Sequence, residues 1–171
     1  MKKTLLFIGL FLAFTLGSFA QKYALVDMEY ILKHIPSYEI ANQELEKTAE
    51  QWQEEVEKMQ QDVQNMYKSF QTDVSSLSAN QKTTRENAIV AKENELQQLR
   101  NKYFGQEGEM FKRRQTLIDP IQDAIYNAIK EIALSDGYQA IIDRASATSM
   151  IFASPDIDIS NQVLAKLGYS K

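Results

Sequence analysis

From Tyr38 to Leu77 the chain repeats apolar residues at alternating steps of three and four, with no Gly or Pro between Ser37 and Leu77. Tyr38, Ala41, Leu45, Ala49, Trp52, Val56, Met59, Val63, Met66 or Tyr67, Phe70, Val74 and Leu77 form the run. This is the seam of a long helix that packs on another helix, and Glu, Gln, Lys, Asn and Asp fill its other faces. At 1.5 Å per residue the rod is on the order of 60 Å long. No ordinary globular core wraps such a rod, so the chain must supply a partner for it and a base.

The partner is expected after a polar turn near residue 75. Ser78 and Gln81 stand at capping-box spacing, which places a second helix from Ala79. Ile89, Leu96, Tyr103, Met110 and Leu117 repeat along it by seven, with Leu99 and Ile121 on the same face. In an antiparallel hairpin, facing residues share one constant sum of their numbers. Phe70 with Ile89, Val63 with Leu96, Val56 with Tyr103, Ala49 with Met110, Ala41 with Ile118 and Tyr38 with Ile121 all add to 159. That register turns the chain near Ala79 and Asn80, two or three residues later than the capping box does. The expected fold is mainly α, a long antiparallel coiled-coil hairpin projecting from a small β-containing body.

Two features of the return helix depart from a plain coiled coil. Gly105 and Gly108 lie within it at the level of Trp52. Each costs about 1 kcal/mol relative to Ala in an exposed helix. They make room for the indole, give the arm flexibility, or do both. A neighbouring column, Val90, Phe104, Phe111, Ile118, Ile125 and Ile132, also repeats by seven. One partner helix cannot cover both columns. Either the column packs in the body from Ile118 onward with Phe111 close by, or Phe104 and Phe111, with Tyr67, present apolar surface to a ligand chain.

The two ends are expected to form the base. Lys2 and Lys3 precede an apolar run from Leu5 to Leu16, and Ser18-Phe19-Ala20 is a small-x-small cleavage site. An export signal over residues 1–20, cut between Ala20 and Gln21, follows from this pattern. Loss of Lys2 and Lys3 moves the net charge from −4 to −6 in the mature chain. That balance argues against nucleic acid as a partner. Tyr23 to Val26 reads as a strand and Met28 to His34 as a helical turn with Tyr30, Ile31 and Ile35 inward. Pro36 breaks the turn, and Ser37 can cap the long helix. Pro120 should kink or end the return helix. The face continues through Ile132 to a stop at Asp136-Gly137. Strands follow at Tyr138–Asp143 and Met150–Ala153, then a helix capped by Ser160 and stopped by Gly168. Three short strands make a weak sheet with edges to cover. The body, residues 21–37 and 120–171 around an arm at 38–119, is therefore expected to be completed by other copies of the chain. Its interface candidates are Leu25, Val26, Ile141, Ile142, Ile151 and Phe152.

Catalytic chemistry finds no support. With no Cys there is no disulfide, thiolate metal site or cysteine nucleophile. His34 is the lone His, and no phosphate loop, nucleophile elbow or metal spacing occurs. Lys112-Arg113-Arg114, the one basic cluster, reads as a solvated or salt-bridged face. No enzyme, metal or cofactor is expected.

Taken in order, these parts resemble the Skp (OmpH) family of periplasmic chaperones over the whole mature length. The strand ending Val26-Asp27, Pro36 before the long helix, Pro120, Gly137-Tyr138, Ile142-Asp143, and Asp158-Ile159-Ser160 with Val163 and Leu167 carry the likeness. The resemblance implies a homotrimer with a small β-barrel-like body and three arms around a cavity. It implies an ATP-independent holdase that binds unfolded outer-membrane β-barrel proteins after export and passes them to the assembly machinery. The well-known members are basic, so the acidic balance puts electrostatic capture and contact with membrane or lipopolysaccharide in doubt here. The competing reading is a structural coiled-coil spacer or adaptor of the envelope, bound to a folded partner.

Overall fold

The structure is a computed structural model that describes residues 22–169; the expected export signal and its cut lie outside them. The elements in order are β1 (Tyr23–Val26), α1 (Met28–Lys33), α2 (Pro36–Asp73), α3 (Ala79–Phe104) and α4 (Glu109–Asp136). β2 (Ala140–Asp143), a 3₁₀ turn (Pro155–Ile157) and α5 (Ser160–Lys166) complete the chain. Cα packing divides it into two compact units, residues 33–125 and the two ends up to 32 and from 126.

In the hairpin unit, α2 runs 38 residues without a break. Pro36 is its first helical residue rather than a breaker ahead of it, and Ser37 does not cap it. Proline's fixed φ suits that position, where its missing N–H costs nothing. Ile35 precedes the helix without a side-chain cap. At the turn, the Gln81 amide donates to Ser78 Oγ and the Ser78 amide donates to Gln81 Oε1 at 2.9 Å. The chain thus reverses over residues 74–78, where the capping box puts it and ahead of the point the register sum suggests. Local hydrogen bonds set a helix start; a heptad sum sets only which residues lie level.

The seam itself forms as expected. Val56, Val63, Leu96 and Tyr103 make one buried cluster, with Trp52, Met59 and Leu99 packed on it. Each side chain of that size contributes about 1.5–3 kcal/mol when fully buried. Polar pairs hold the same register: Asp73 with Arg85, Gln60 with Arg100, Tyr67 with Glu93, Glu55 with Tyr103 and Glu44 with Arg113. The numbers of each pair add to within two of 159.

The return limb is two helices, not one. α3 ends at Phe104 and α4 begins at Glu109, with Gly105-Gln106-Glu107-Gly108 between them. Pro120, by contrast, lies inside α4 without ending it.

In the terminal unit β1 and β2 pair in parallel, Tyr23 with Ala140 through Val26 with Asp143. Leu25 also bridges Asp158 on the other side of β1. Ala24, Leu25, Val26, Ile31, Ala128, Ile132, Ile159, Val163 and Leu164 are buried. Tyr30, expected inward, stands at the surface, where its hydroxyl donates to Asn161 Oδ1 at 2.9 Å. Gly137, with φ of 73°, ends α4 in the left-handed conformation that favours glycine. The strand expected at Met150–Ala153 is absent: these residues have no regular structure, and Ile151 and Phe152 are exposed. Among the described residues they pair with no strand: the sheet holds β1 and β2 alone, with Asp158 bridged to the other side of β1.

Polar side chains tie the ends of this unit together. Arg144 donates through Nε and Nη2 to Asp27 Oδ2, at 3.1 and 3.0 Å, and its Nη1 lies 3.3 Å from Asp158 Oδ2. Ser160 is buried and acts differently from the expected helix cap. Its hydroxyl donates to Asp158 Oδ1 at 2.6 Å and accepts the Asp27 amide at 2.8 Å. The Tyr30 amide and the Arg144 guanidinium hold the Asp27 carboxyl below its usual value, against a smaller opposing effect of burial.

Candidate functional site on the hairpin

The heptad pattern leaves a second apolar column beside the seam, and the structure divides it at Ile118. Phe104 is 42% exposed and Phe111 46%, whereas Ile118 falls to 3%, and Ile125 and Ile132 are buried too. Val90 is also exposed. Tyr67, 42% exposed on α2, donates its hydroxyl to Glu93 Oε1 on α3 at 3.0 Å. That bond to a carboxylate raises the phenol's pKa. The ring of Tyr67 is thus held across the two helices while part of it faces water. The hairpin thus carries half-exposed large apolar side chains on helices that are otherwise polar.

Trp52 organises the middle of the hairpin. Its ring stacks parallel on Tyr103 with centroids 4.7 Å apart. Phe104 meets both edge-on, at 6.5 and 6.3 Å. Both are favoured arrangements for aromatic quadrupoles. The Tyr103 hydroxyl donates to Glu55 Oε2 at 2.6 Å, which raises its pKa. This cluster sits directly before the Gly105–Gly108 connection.

The glycines serve that connection rather than the indole. A Cβ on Gly105 would lie 2.4 Å from the Asn101 carbonyl oxygen. One on Gly108 would lie 2.8 Å from the Tyr103 oxygen and 2.9 Å from the Gly105 nitrogen. The nearest atoms are backbone, and Trp52 is not among them. Heptad counting finds the level of the break but not this close backbone approach, for which the paired glycines are the only signal.

Recesses open along the hairpin. One of about 380 Å³ near the turn is lined by Asn65, Met66, Ser69, Arg85, Ala88 and Ile89. Another, of about 360 Å³, lies beyond the break between α2 and α4, with Glu44 and Trp52 on one side and Lys112, Arg113, Thr116 and Leu117 on the other. Two residues of the basic cluster are ion-paired here, Arg113 to Glu44 at 2.6 Å and Lys112 to Glu109 at 3.3 Å.

Of the interface candidates in the terminal unit, Leu25 and Val26 are buried in the chain's own core and Ile141 is half-buried. Ile142, Ile151 and Phe152 are exposed. Among the described residues no group of three or more His, Cys, Asp or Glu could hold a metal ion, and no helix is long and apolar enough to cross a membrane.

No curated protein matches this chain. The family model described as outer membrane protein (OmpH-like) matches residues 22–167, from just before β1 to just past α5. The parallel strand pair, the long hairpin and the closing helix all fall within that match, and the chain belongs to the OmpH-like family.

Proposed function

We propose that this protein is an ATP-independent periplasmic holdase that binds unfolded outer-membrane β-barrel proteins after export and keeps them soluble for assembly. Membership of the OmpH-like family supports the class of partner. The observation that carries the reading is the spacing of half-exposed aromatic side chains, Tyr67, Phe104 and Phe111, along a polar hairpin. Isolated apolar contacts of this kind hold a chain weakly at many points, which shields it without fixing its fold.

The working form is a homotrimer whose hairpins line a shared cavity. Support comes from the terminal unit, where a sheet of two four-residue strands is too small to stand alone. Ile142, Ile151 and Phe152 would then be covered by neighbouring copies, and β2 would gain a partner on its free edge. The Gly105–Gly108 connection gives the arm a place to flex.

The test is rapid dilution of a denatured β-barrel protein into buffer, followed by light scattering. With this protein present, scattering should fall in proportion to added trimer. Equal scattering with and without it, together with capture of a folded envelope protein, would instead favour a coiled-coil spacer.

A further inference from the structure

The hairpin seam does not close fully beyond the break in its return limb. The cavity there opens to solvent, and at about 360 Å³ it is well above the ~150 Å³ that suffices for benzene. Trp52 supplies an aromatic wall, with one face already covered by Tyr103. Leu117 supplies an aliphatic wall, and Lys112 and Arg113 bring cations that can lie over a ring. Each cation is paired with a carboxylate, Glu109 or Glu44, so the site offers no net charge to an anion. An aliphatic guest would gain burial alone. An aromatic guest would gain burial, ring contact with Trp52 and a cation contact.

We propose that this cavity binds single aromatic side chains of an unfolded β-barrel polypeptide. The proposal rests on the holdase reading and gives it a chemical preference. Transmembrane β-strands are about ten residues long and carry aromatic girdles at both membrane interfaces. An unfolded barrel therefore offers such side chains at regular intervals along an extended chain. Trp52 is a specificity-determining residue in this view, as well as a packing one.

Trp52 is the single tryptophan of the chain, so its emission reports on the cavity directly. The probe is a peptide of about ten residues with barrel-strand alternation, one Phe and no Trp. Saturable change in Trp52 emission is expected, with binding about tenfold weaker when the Phe is replaced by Leu or by Ser. Filling the cavity by Thr116→Phe should abolish the response, with the circular dichroism melt checking the fold. A wild-type experiment stands beside it: a benzophenone analogue of the Phe should crosslink to Trp52, Thr116 or Leu117. Equal binding of the Phe and Leu peptides, or crosslinks only elsewhere, would overturn the proposal. Suppressed barrel aggregation without any Trp52 response would overturn the cavity and leave the holdase reading standing. A Trp52 response without suppression would do the reverse.

Discussion

Trp52 on α2 and Tyr103 on α3 lie ring on ring, with centroids 4.7 Å apart and planes parallel. The pair stands where the return limb breaks, so the aromatic contact locks the last turn of α3 to an unbroken helix. The hydroxyl of Tyr103 adds a 2.6 Å bond to Glu55 on that same helix. Tyr103→Phe keeps the stack and loses the bond, for an expected cost of about 1 kcal/mol. Urea unfolding followed by circular dichroism measures it. A double-mutant cycle with Glu55→Ala should return a coupling of similar size, because either change alone already breaks the bond.

Gly105→Ala and Gly108→Ala test the meaning of the break. In an exposed continuous helix each change would stabilise by about 1 kcal/mol. Here each new Cβ would press on backbone, at 2.4 Å for Gly105 and 2.8 Å for Gly108. Both variants are therefore expected to melt below the wild type, the opposite sign to helix propensity. A rise in melting temperature would mean that residues 105–108 can be helical.

The acid side of the stability curve should depend on Asp27. Its carboxyl is held below the usual value by the Tyr30 amide and Arg144. A depressed folded-state value means that the unfolded chain binds the proton more readily. The contribution is full above the ordinary value near 4, and it is lost as pH falls through the folded-state value. Asp27→Asn is expected to lower stability at neutral pH and to flatten the fall below about pH 4, read as urea midpoint against pH.

Much of this hairpin is legible in the bare chain because helix packing obeys a simple period. The pairs Val56 with Tyr103 and Val63 with Leu96 follow from counting alone, and Ser78 with Gln81 marks the start of α3 through a local bond. Ser37 and Ser160 mislead for a shared reason. Both fit a helix-cap pattern, yet each lies inside its helix, after Ile35 in one case and Ile159 in the other, and Ser160 bonds Asp158 and the Asp27 amide instead. Met150–Ala153 has the composition of a strand, but a strand needs a partner edge, and composition cannot say whether the same chain provides one. The cavity beside Trp52 is illegible for a similar reason. It arises where Gly105 and Gly108 interrupt the return helix, and no residue announces a space.

Ile151 and Phe152 are exposed and apolar, a combination that suits an interface with another copy. Phe152→Asp is expected to split the proposed trimer into single chains while helical content is kept. Sedimentation velocity and far-ultraviolet circular dichroism, run at equal protein concentration, check the two halves of that statement. Retained mass in the variant would place the interface elsewhere.

The most direct measurement is the mass, by light scattering in line with size exclusion, of this protein mixed with a urea-unfolded β-barrel protein that is then diluted into buffer. The expected result is one soluble particle holding three copies of the chain and one unfolded barrel. A stable single chain eluting alone, with the barrel lost to aggregate, would contradict the proposed function.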